Sequence, residues 1–99
     1  MKAHNLELIM VNISGYDRPG VTAALTSILA KYNADILDIG QADIHHYLSL
    51  GILFKTDSSV SGDIMKELLF KASEMNFQIH FTPISVEEYT DWVGRQGKQ

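Results

Sequence analysis

The stretch GYDRPGVTAALTSILAKYNADILDIGQADIHHYLSLGILF, residues 15–54, decides the fold of this 99-residue chain. After a turn that contains glycine and proline, its apolar residues follow helical spacing at Val21, Leu25, Ile28, Leu29 and Tyr32. This stripe predicts a helix of about three turns with one buried face. Pro19 suits the first turn of that helix, where a missing N–H costs nothing, and Asn33 suits a left-handed C-terminal cap.

Two strands follow the helix in the same stretch. The segments ILDIGQADIHH, residues 36–46, and YLSLGILFK, residues 47–55, both alternate apolar and polar side chains. Alternation of this kind is typical of strands with one buried face. The pattern therefore predicts two neighbouring strands that meet at a tight turn near His45–Tyr47.

The flanking sequence supplies a first strand and a second helix. Residues 6–14, LELIMVNIS, are apolar at successive positions in their middle, which favours a central strand. Residues 56–63 predict a polar loop in which Ser61 caps the second helix and Asp63 lies in its first turn. The apolar stripe of that helix consists of Ile64, Met65, Leu68, Leu69, Ala72 and Met75. Asn76 offers a left-handed cap after it.

A last strand completes the order of elements. The segment FQIHFTPIS, residues 77–85, places Phe77, Ile79 and Phe81 on one face. Pro83 assigns the far end of this segment to a sheet edge or a strand terminus. The resulting β-α-β-β-α-β order predicts an α+β fold, a ferredoxin-like βαββαβ sandwich. Its four-stranded antiparallel sheet carries both helices on one face and leaves the other face open.

The C-terminal segment SVEEYTDWV, residues 85–93, carries a capping box in which Glu88 follows Ser85 by three residues. It predicts a short helix with Tyr89, Trp92 and Val93 on one side. A tryptophan in this position needs a surface to pack against, on this domain, on a second copy or on a following domain. The tail GRQGKQ, residues 94–99, resembles a linker.

Length and composition indicate a single domain, which we assign to residues 1–86, with residues 87–99 as a helix or linker toward a following domain. Residues 1–60 hold four basic and six acidic side chains, and residues 61–99 hold the same numbers. Neither part forms a basic stripe that could neutralise phosphates, so no nucleic-acid partner is predicted.

The compartment is predicted from two absences in the sequence. The chain has no cysteine, which removes disulfides and thiolate chemistry and is compatible with a reducing compartment. No stretch approaches the roughly 18 apolar residues of a membrane span, and the N-terminus lacks a cleavage site for secretion. We therefore expect a cytoplasmic protein without a membrane partner.

Catalytic and metal-binding patterns are weak. The sequence contains neither G-x-S-x-G nor G-x-x-x-x-G-K-[ST]. The histidines are His4, His45, His46 and His80, and two adjacent histidines in a strand point to opposite faces, so no metal site is predicted. Asp35 and Asp38 are likewise expected to face opposite ways where a strand begins. We expect no catalysis by this chain alone and no cofactor.

The cluster GYDRPGV, residues 15–21, has two interpretations. It can simply turn the chain, because Gly15 lets the first strand end and Pro19 starts the helix. It can also hold a ligand, because the amides of Gly20 and Val21 at the start of a helix attract a carboxylate. Asp17 nearby would take an ammonium group. A carboxylate site beside an ammonium site is suited to an amino acid.

These residues give the chain a recognisable pattern. The motif D-R-P-G-V at residues 17–21, with N-A-D-I at 33–36 and L-S-L-G-I-L at 48–53, resembles the ACT domain, a regulatory module that binds amino acids. The resemblance covers roughly residues 5–86. The stretch HHYLSLGILF, residues 45–54, is most similar to the ACT domain at the N-terminus of bacterial phosphoserine phosphatases, whose catalytic motif is not present here.

The resemblance implies a site between two domains. In that family the loop after the first strand meets the start of the second strand of a neighbouring ACT domain, and a small amino acid lies between them. By position, Asp17, Arg18, Gly20 and Val21 would be the loop contacts and Asp35 the contact from the second strand. The implied ligand is serine or glycine, and the implied partner is a second ACT domain in a homodimer. A dimerisation or docking module without a ligand is the alternative.

Overall fold

The computed structural model describes residues 5–96 of the chain and contains seven elements. They are β1 (Leu6–Tyr16), α1 (Val21–Lys31), β2 (Asp35–Ile44), β3 (Tyr47–Asp57), α2 (Ser58–Glu74), β4 (Gln78–Ile84) and α3 (Val86–Gln96). The four strands form one antiparallel sheet in the order β2-β3-β1-β4. This is the predicted ferredoxin-like βαββαβ arrangement, followed by one further helix.

The core lies between the sheet and helices α1 and α2. Alternate residues of the two central strands supply the sheet side of this core: Ile9, Val11, Ile13, Leu48, Leu50, Ile52 and Phe54. The helices supply Val21, Leu25, Ile28, Leu29, Ile64, Leu68 and Ala72, at the spacing from which the sequence predicts two amphipathic helices. Because α1 packs against this core, the start of α1 is held at one end of the sheet.

The ends of α1 follow the sequence only in part. Asn33 adopts a positive φ of 58° just after α1, and Asn76 does the same with a φ of 65° after α2, so both predicted left-handed caps are confirmed. The prediction for Pro19 is wrong, because the helix begins at Val21. Gly20 precedes the helix with a φ of 86°, a left-handed conformation that glycine adopts without strain. Because this conformation is not helical, Pro19 lies outside the first turn of α1.

The predicted start of α2 is also wrong. Strand β3 continues to Asp57 and passes into α2 without a polar loop. The Asp57 side chain caps the helix by accepting a hydrogen bond from the Ser59 amide at 2.9 Å. Ser61 is buried and donates its hydroxyl to the Ser58 carbonyl at 3.2 Å, and Asp63 therefore falls in the second turn. Both Asp57 and Ser61 are residues that cap helices, and the length of β3 selects the first.

The turn between β2 and β3 consists of His45 and His46, within the predicted position. Their φ values are 49° and 70°, so both residues are left-handed in a two-residue hairpin. Such turns prefer Asn-Gly, because other side chains are strained at positive φ.

We expect the double substitution His45→Asn, His46→Gly to stabilise the fold. Relief of strain at two positions should add about 1–2 kcal/mol to the free energy of unfolding. The midpoint of thermal unfolding should then rise by several degrees. The double substitution His80→Asn, Asn12→Gly at exposed positions of the sheet is the comparison and should show no such rise. An unchanged or lower midpoint would show that the turn is not strained.

Strand β2 contains a bulge that reverses one prediction. The register moves from Ile36 opposite Phe54 to Asp38 opposite Leu53, which leaves Leu37 as an extra residue. Asp35 lies opposite Lys55. Because Lys55 and Leu53 are two residues apart on β3, Asp35 and Asp38 share one face of the sheet, contrary to the expectation that they face opposite ways.

The sheet face opposite the two helices is covered in part, which corrects the expectation that it is open. Helix α3 lies against it, and Tyr89 and Trp92 approach Leu53, whose side chain is only 3% exposed. The exposed remainder of this face includes Asn12, Ser49 and His80. The capping box is confirmed, since the Glu88 amide donates to the Ser85 hydroxyl and the Ser85 amide donates to the Glu88 carboxylate, each at 3.0 Å. Trp92 therefore packs on this domain.

His4 and the end of the tail, residues 97–99, lie outside the described residues. Among residues 5–96, no helix is both long enough and apolar enough to cross a membrane.

Candidate ligand-binding site

A cleft of about 510 Å³ lies where β1 ends and α1 begins. Its lining comes from one continuous loop and from the β2–β3 turn: Asp17, Arg18, Pro19, Gly20, Val21, Thr22, Ala23 and His46. Its size is typical of small-molecule sites. Four of the five residues that the sequence proposes as ligand contacts, Asp17, Arg18, Gly20 and Val21, thus line one cleft.

Two backbone contacts fix the loop that forms this cleft. The Asp17 amide donates to the His46 carbonyl at 2.8 Å, which ties the loop to the β2–β3 turn. At Gly15, a Cβ atom would come within 2.8 Å of Phe77 Cδ2 and 3.2 Å of the Asn76 carbonyl oxygen. Glycine at this position therefore lets β1 pass close to the start of β4, and the loop begins from a well-defined place.

The first amides of α1 point to what the cleft can bind. The first helical hydrogen bond runs from the Ala24 amide to the Gly20 carbonyl at 2.9 Å, so the amides of Val21, Thr22 and Ala23 have no acceptor within the helix. No side chain of the described residues caps this end, and its first turn contains no acidic residue. These donors, with the positive end of the helix dipole, favour a carboxylate or another small anion.

The side chains around these amides have different roles. Asp17 is exposed and adds a carboxylate to the cleft, where it can accept hydrogen bonds from an ammonium group. Arg18 lines the cleft but directs its Nη1 to the Met75 carbonyl at the end of α2, at 3.3 Å. A cation at that position complements the negative end of the α2 dipole. Arg18 is thus also part of the packing between the loop and α2.

Asp35, the fifth proposed contact, lies at the opposite end of the sheet. It is opposite Lys55, whereas the loop leaves the sheet at Tyr16, which is opposite Tyr47. Eight residues of extended β3 separate the two places, a distance of about 27 Å. Within one chain the structure therefore does not bring Asp35 to Asp17.

His46 lines the cleft from outside the loop, and the sequence did not suggest it as a contact. It arrives from the β2–β3 turn, because the pairing of β1 with β3 aligns that turn with the end of β1. Beside it, Tyr16 and Tyr47 form an edge-to-face pair with ring centroids 5.3 Å apart. The register of the strands could have indicated this contact, because it places the β2–β3 turn next to residue 16. Among residues 5–96, no three histidine, aspartate or glutamate side chains are grouped to hold a metal ion.

A second polar cluster joins α1 to α2 away from the cleft. The Glu67 carboxylate accepts hydrogen bonds from Lys31 Nζ at 2.8 Å and from the Tyr32 hydroxyl. The hydrogen bond from Lys31 and then that from Tyr32 hold the pKa of Glu67 below its ordinary value. The same carboxylate raises the pKa of Lys31 and that of Tyr32. This cluster stabilises the contact between the helices when Glu67 is ionised.

We expect this cluster to make stability depend on acid pH. Because the pKa of Glu67 is lowered in the folded state, its contribution is complete above the ordinary glutamate pKa and disappears as the pH falls through the folded-state value. Glu67→Gln should lower the unfolding midpoint at neutral pH, and the difference from the parent chain should shrink as the solution becomes acidic. Glu74→Gln is the matched control. A Glu67→Gln effect that grows in acid would contradict this sign.

Comparisons with known proteins agree on one family for most of the chain. A family model described as the ACT domain matches residues 7–82. The chain is 30% identical over 87 residues to a UPF0237 protein of Pyrobaculum aerophilum, a match that covers 85% of this chain and 96% of that protein. It is 38% identical over 45 residues to the phosphoserine phosphatase SerB2 of Mycobacterium tuberculosis, covering 46% of this chain and 11% of that enzyme.

Solved structures show the same fold. A protein assigned as a glycine cleavage system transcriptional repressor superposes with a TM-score of 0.76, over 81% of this chain and 47% of the other. The sequence identity in this comparison is 16%, so the likeness concerns the fold alone.

Proposed function

The chain belongs to the ACT domain family, and on this premise we propose that it is a sensor for a small amino acid, serine or glycine, bound between two copies of the domain. ACT domains are regulatory modules, and catalysis is not expected of such a domain alone. The observation that carries the proposal is the set of uncapped amides at the start of α1, in one cleft with the carboxylate of Asp17.

The chemistry of this cleft matches the two charged groups of an amino acid. The amides of Val21, Thr22 and Ala23 would bind its carboxylate, as helix N-termini bind anions. Asp17 would bind its ammonium group through a charge-assisted hydrogen bond. Gly20 has no side chain and its Cβ position is open, so the backbone can approach the ligand closely. A small side chain such as that of serine would lie between the loop and His46, which line the same cleft.

The second copy would complete the site by pairing through β2. This strand is an edge of the sheet and exposes Ile36, Ile39 and Ile44, the last by 68%. Antiparallel pairing of two β2 strands about Gly40, with Leu37 counted as the extra residue of the bulge, places Asp35 of the second copy opposite Ile44. That position adjoins the turn at His46 and the loop at Asp17. Two carboxylates, one from each copy, would then surround the ammonium group.

Ligand binding between copies would couple amino-acid concentration to assembly. A ligand that contacts both copies binds the dimer better than the monomer and shifts the equilibrium toward the dimer. We further propose that the regulated reaction is serine formation by a phosphoserine phosphatase, with residues 1–86 as the sensor domain and residues 87–99 leading toward the enzyme. The 45-residue match to such a phosphatase supports this step. A cytoplasmic location fits this role.

A dimerisation or docking module without a ligand is the second candidate. The exposed isoleucines on the β2 edge favour it, because apolar groups along an unpaired edge are typical of an interface. In that case two copies would associate equally well with and without amino acids. Sedimentation in the presence and absence of L-serine distinguishes the two candidates.

Calorimetric titration with L-serine and glycine tests the proposal directly. We expect saturable binding to the parent chain and a loss of at least about tenfold in affinity for Ala23→Asp, because the new carboxylate occupies the amides and repels the ligand. An acid in the first turn stabilises a helix, so this variant should remain folded. Ser27→Asp, one turn later, is the matched control and should bind normally. Equal affinity of Ala23→Asp and the parent chain would contradict the proposal.

A further inference from the structure

Asp38 lies between two surfaces of the domain, the free edge of β2 and helix α3. Its Oδ1 accepts a hydrogen bond from the backbone amide of Ile39 at 2.9 Å. Its side chain also lines both gaps beneath α3, one of about 130 Å³ with Met10 and Trp92 and one of about 260 Å³ with Leu37 and Tyr89. The bulge at Leu37 causes this placement, because without it Asp38 would face the side of α1 and α2.

The hydrogen bond matters because β2 is an edge strand. A strand that adds to an edge uses the outward backbone amides as donors, and charged side chains on edge strands are a common protection against such pairing. Here the carboxylate of Asp38 occupies an amide in the middle of β2, close to the midpoint about which two copies would pair. A second β2 strand can accept a hydrogen bond from the Ile39 amide only after the Asp38 carboxylate leaves it.

Helix α3 can respond to this movement. It is held on the sheet mainly by its aromatic side, and the gaps on both sides of Trp92 leave room for Asp38 to enter. Trp92 is 38% exposed and Val93 is 48% exposed, so the contact is only partly buried. A carboxylate that turns into this apolar contact weakens it, because a charge brought against the rings of Tyr89 and Trp92 loses hydration.

We propose that Asp38 couples assembly to the C-terminal helix: it blocks the β2 edge while it holds the Ile39 amide, and pairing with a second copy turns it toward Trp92 and loosens α3. This inference rests on the proposed pairing of two copies through β2. It supplies the route by which a ligand between the copies would act on whatever follows α3 in the chain. In the unpaired chain, the edge of β2 is free and α3 is docked on the sheet, and both change together when two copies pair.

The test uses the single tryptophan of the chain as a reporter. Sedimentation gives the dimer dissociation constant in the presence of L-serine, and the emission of Trp92 is recorded over the same concentrations. For the parent chain we expect emission to change along the dimerisation curve. For Asp38→Ala we expect the dissociation constant to fall about tenfold, since the edge amide is no longer blocked, and the emission to stay constant with concentration.

The controls separate this inference from the function on which it rests. Asp63→Ala removes an exposed carboxylate from α2, outside β2 and the cleft, and should behave like the parent chain in both measurements. Asp38→Asn keeps an oxygen acceptor without the charge and should lie between the parent chain and Asp38→Ala. If the parent chain dimerises while Trp92 emission stays constant, or if Asp38→Ala dimerises like the parent, only the coupling is wrong. If L-serine neither binds nor promotes dimerisation, the proposed function fails and the coupling fails with it.

Discussion

Replacing Phe54 with alanine is expected to lower the free energy of unfolding by about 3–5 kcal/mol. Phe54 is fully buried on β3 and packs among the core residues of the sheet and both helices. Its removal leaves a cavity that neighbouring strands cannot fill, because β3 is held in register by β1 on one side and β2 on the other. Since a domain of this size is stable by only about 5–15 kcal/mol, much of its stability would be lost.

Phe70→Ala is the matched control for this experiment. Phe70 is the same residue type on the outer face of α2 and is 62% exposed. Its removal should change stability by no more than about 0.5 kcal/mol. Denaturant unfolding of the three chains compares the two positions under the same conditions. Similar losses for Phe54→Ala and Phe70→Ala would mean that the core does not lie on the helix side of β3.

Several elements of the fold follow from local patterns in the sequence. Regular spacing predicts α1, α2 and the hairpin, because burial of one face fixes the period of apolar residues. Asn33 and Asn76 mark helix ends, since a left-handed cap favours asparagine. The ambiguous places are those where two local solutions compete, as at Ser61 and Asp57, both of which can cap a helix. Only the length of β3 decides between them, and its length depends on pairing with β1.

Other features depend on contacts that no local pattern carries. The bulge at Leu37 has no glycine or proline beside it to mark it in the sequence, since Ile36 precedes it and Asp38 follows it, and it decides which face Asp38 takes. The position of α3 on the sheet follows from the apolar side of α3 and from Leu53, but the sequence does not say which surface Trp92 chooses. Arg18 was assigned to the loop, and its contact with the Met75 carbonyl depends on the approach of α2.

In the candidate site, too, some residues can be predicted from local sequence and others depend on contacts between distant parts of the chain. Asp17, Gly20 and Val21 are close in sequence, so the geometry of one turn brings them together. His46 joins them through strand pairing across about thirty residues of sequence, which requires the hairpin register. Asp35 joins them only if a second copy supplies it. The part of the site that local sequence predicts is therefore the helix N-terminus with its adjacent acid.

Loss of serine binding on replacement of either Asp17 or Asp35 is the other large expected effect. Each carboxylate would make a charge-assisted hydrogen bond to the ammonium group, so each variant should bind about 10–100 times more weakly. Both side chains are exposed, and neither substitution should unfold the domain. Asp63→Ala, which removes an exposed carboxylate from α2 outside the cleft and the β2 edge, is the control and should leave serine affinity unchanged.

The central claim is that one site takes Asp17 from one copy and Asp35 from another, about 27 Å apart within a single chain. The most direct measurement is titration of L-serine into an equimolar mixture of the variants Asp17→Ala and Asp35→Ala, each of which alone should bind weakly. A mixed dimer would contain one site with both carboxylates, so the mixture should regain binding near the parent affinity with reduced stoichiometry. A mixture that binds no better than either variant alone would contradict the account.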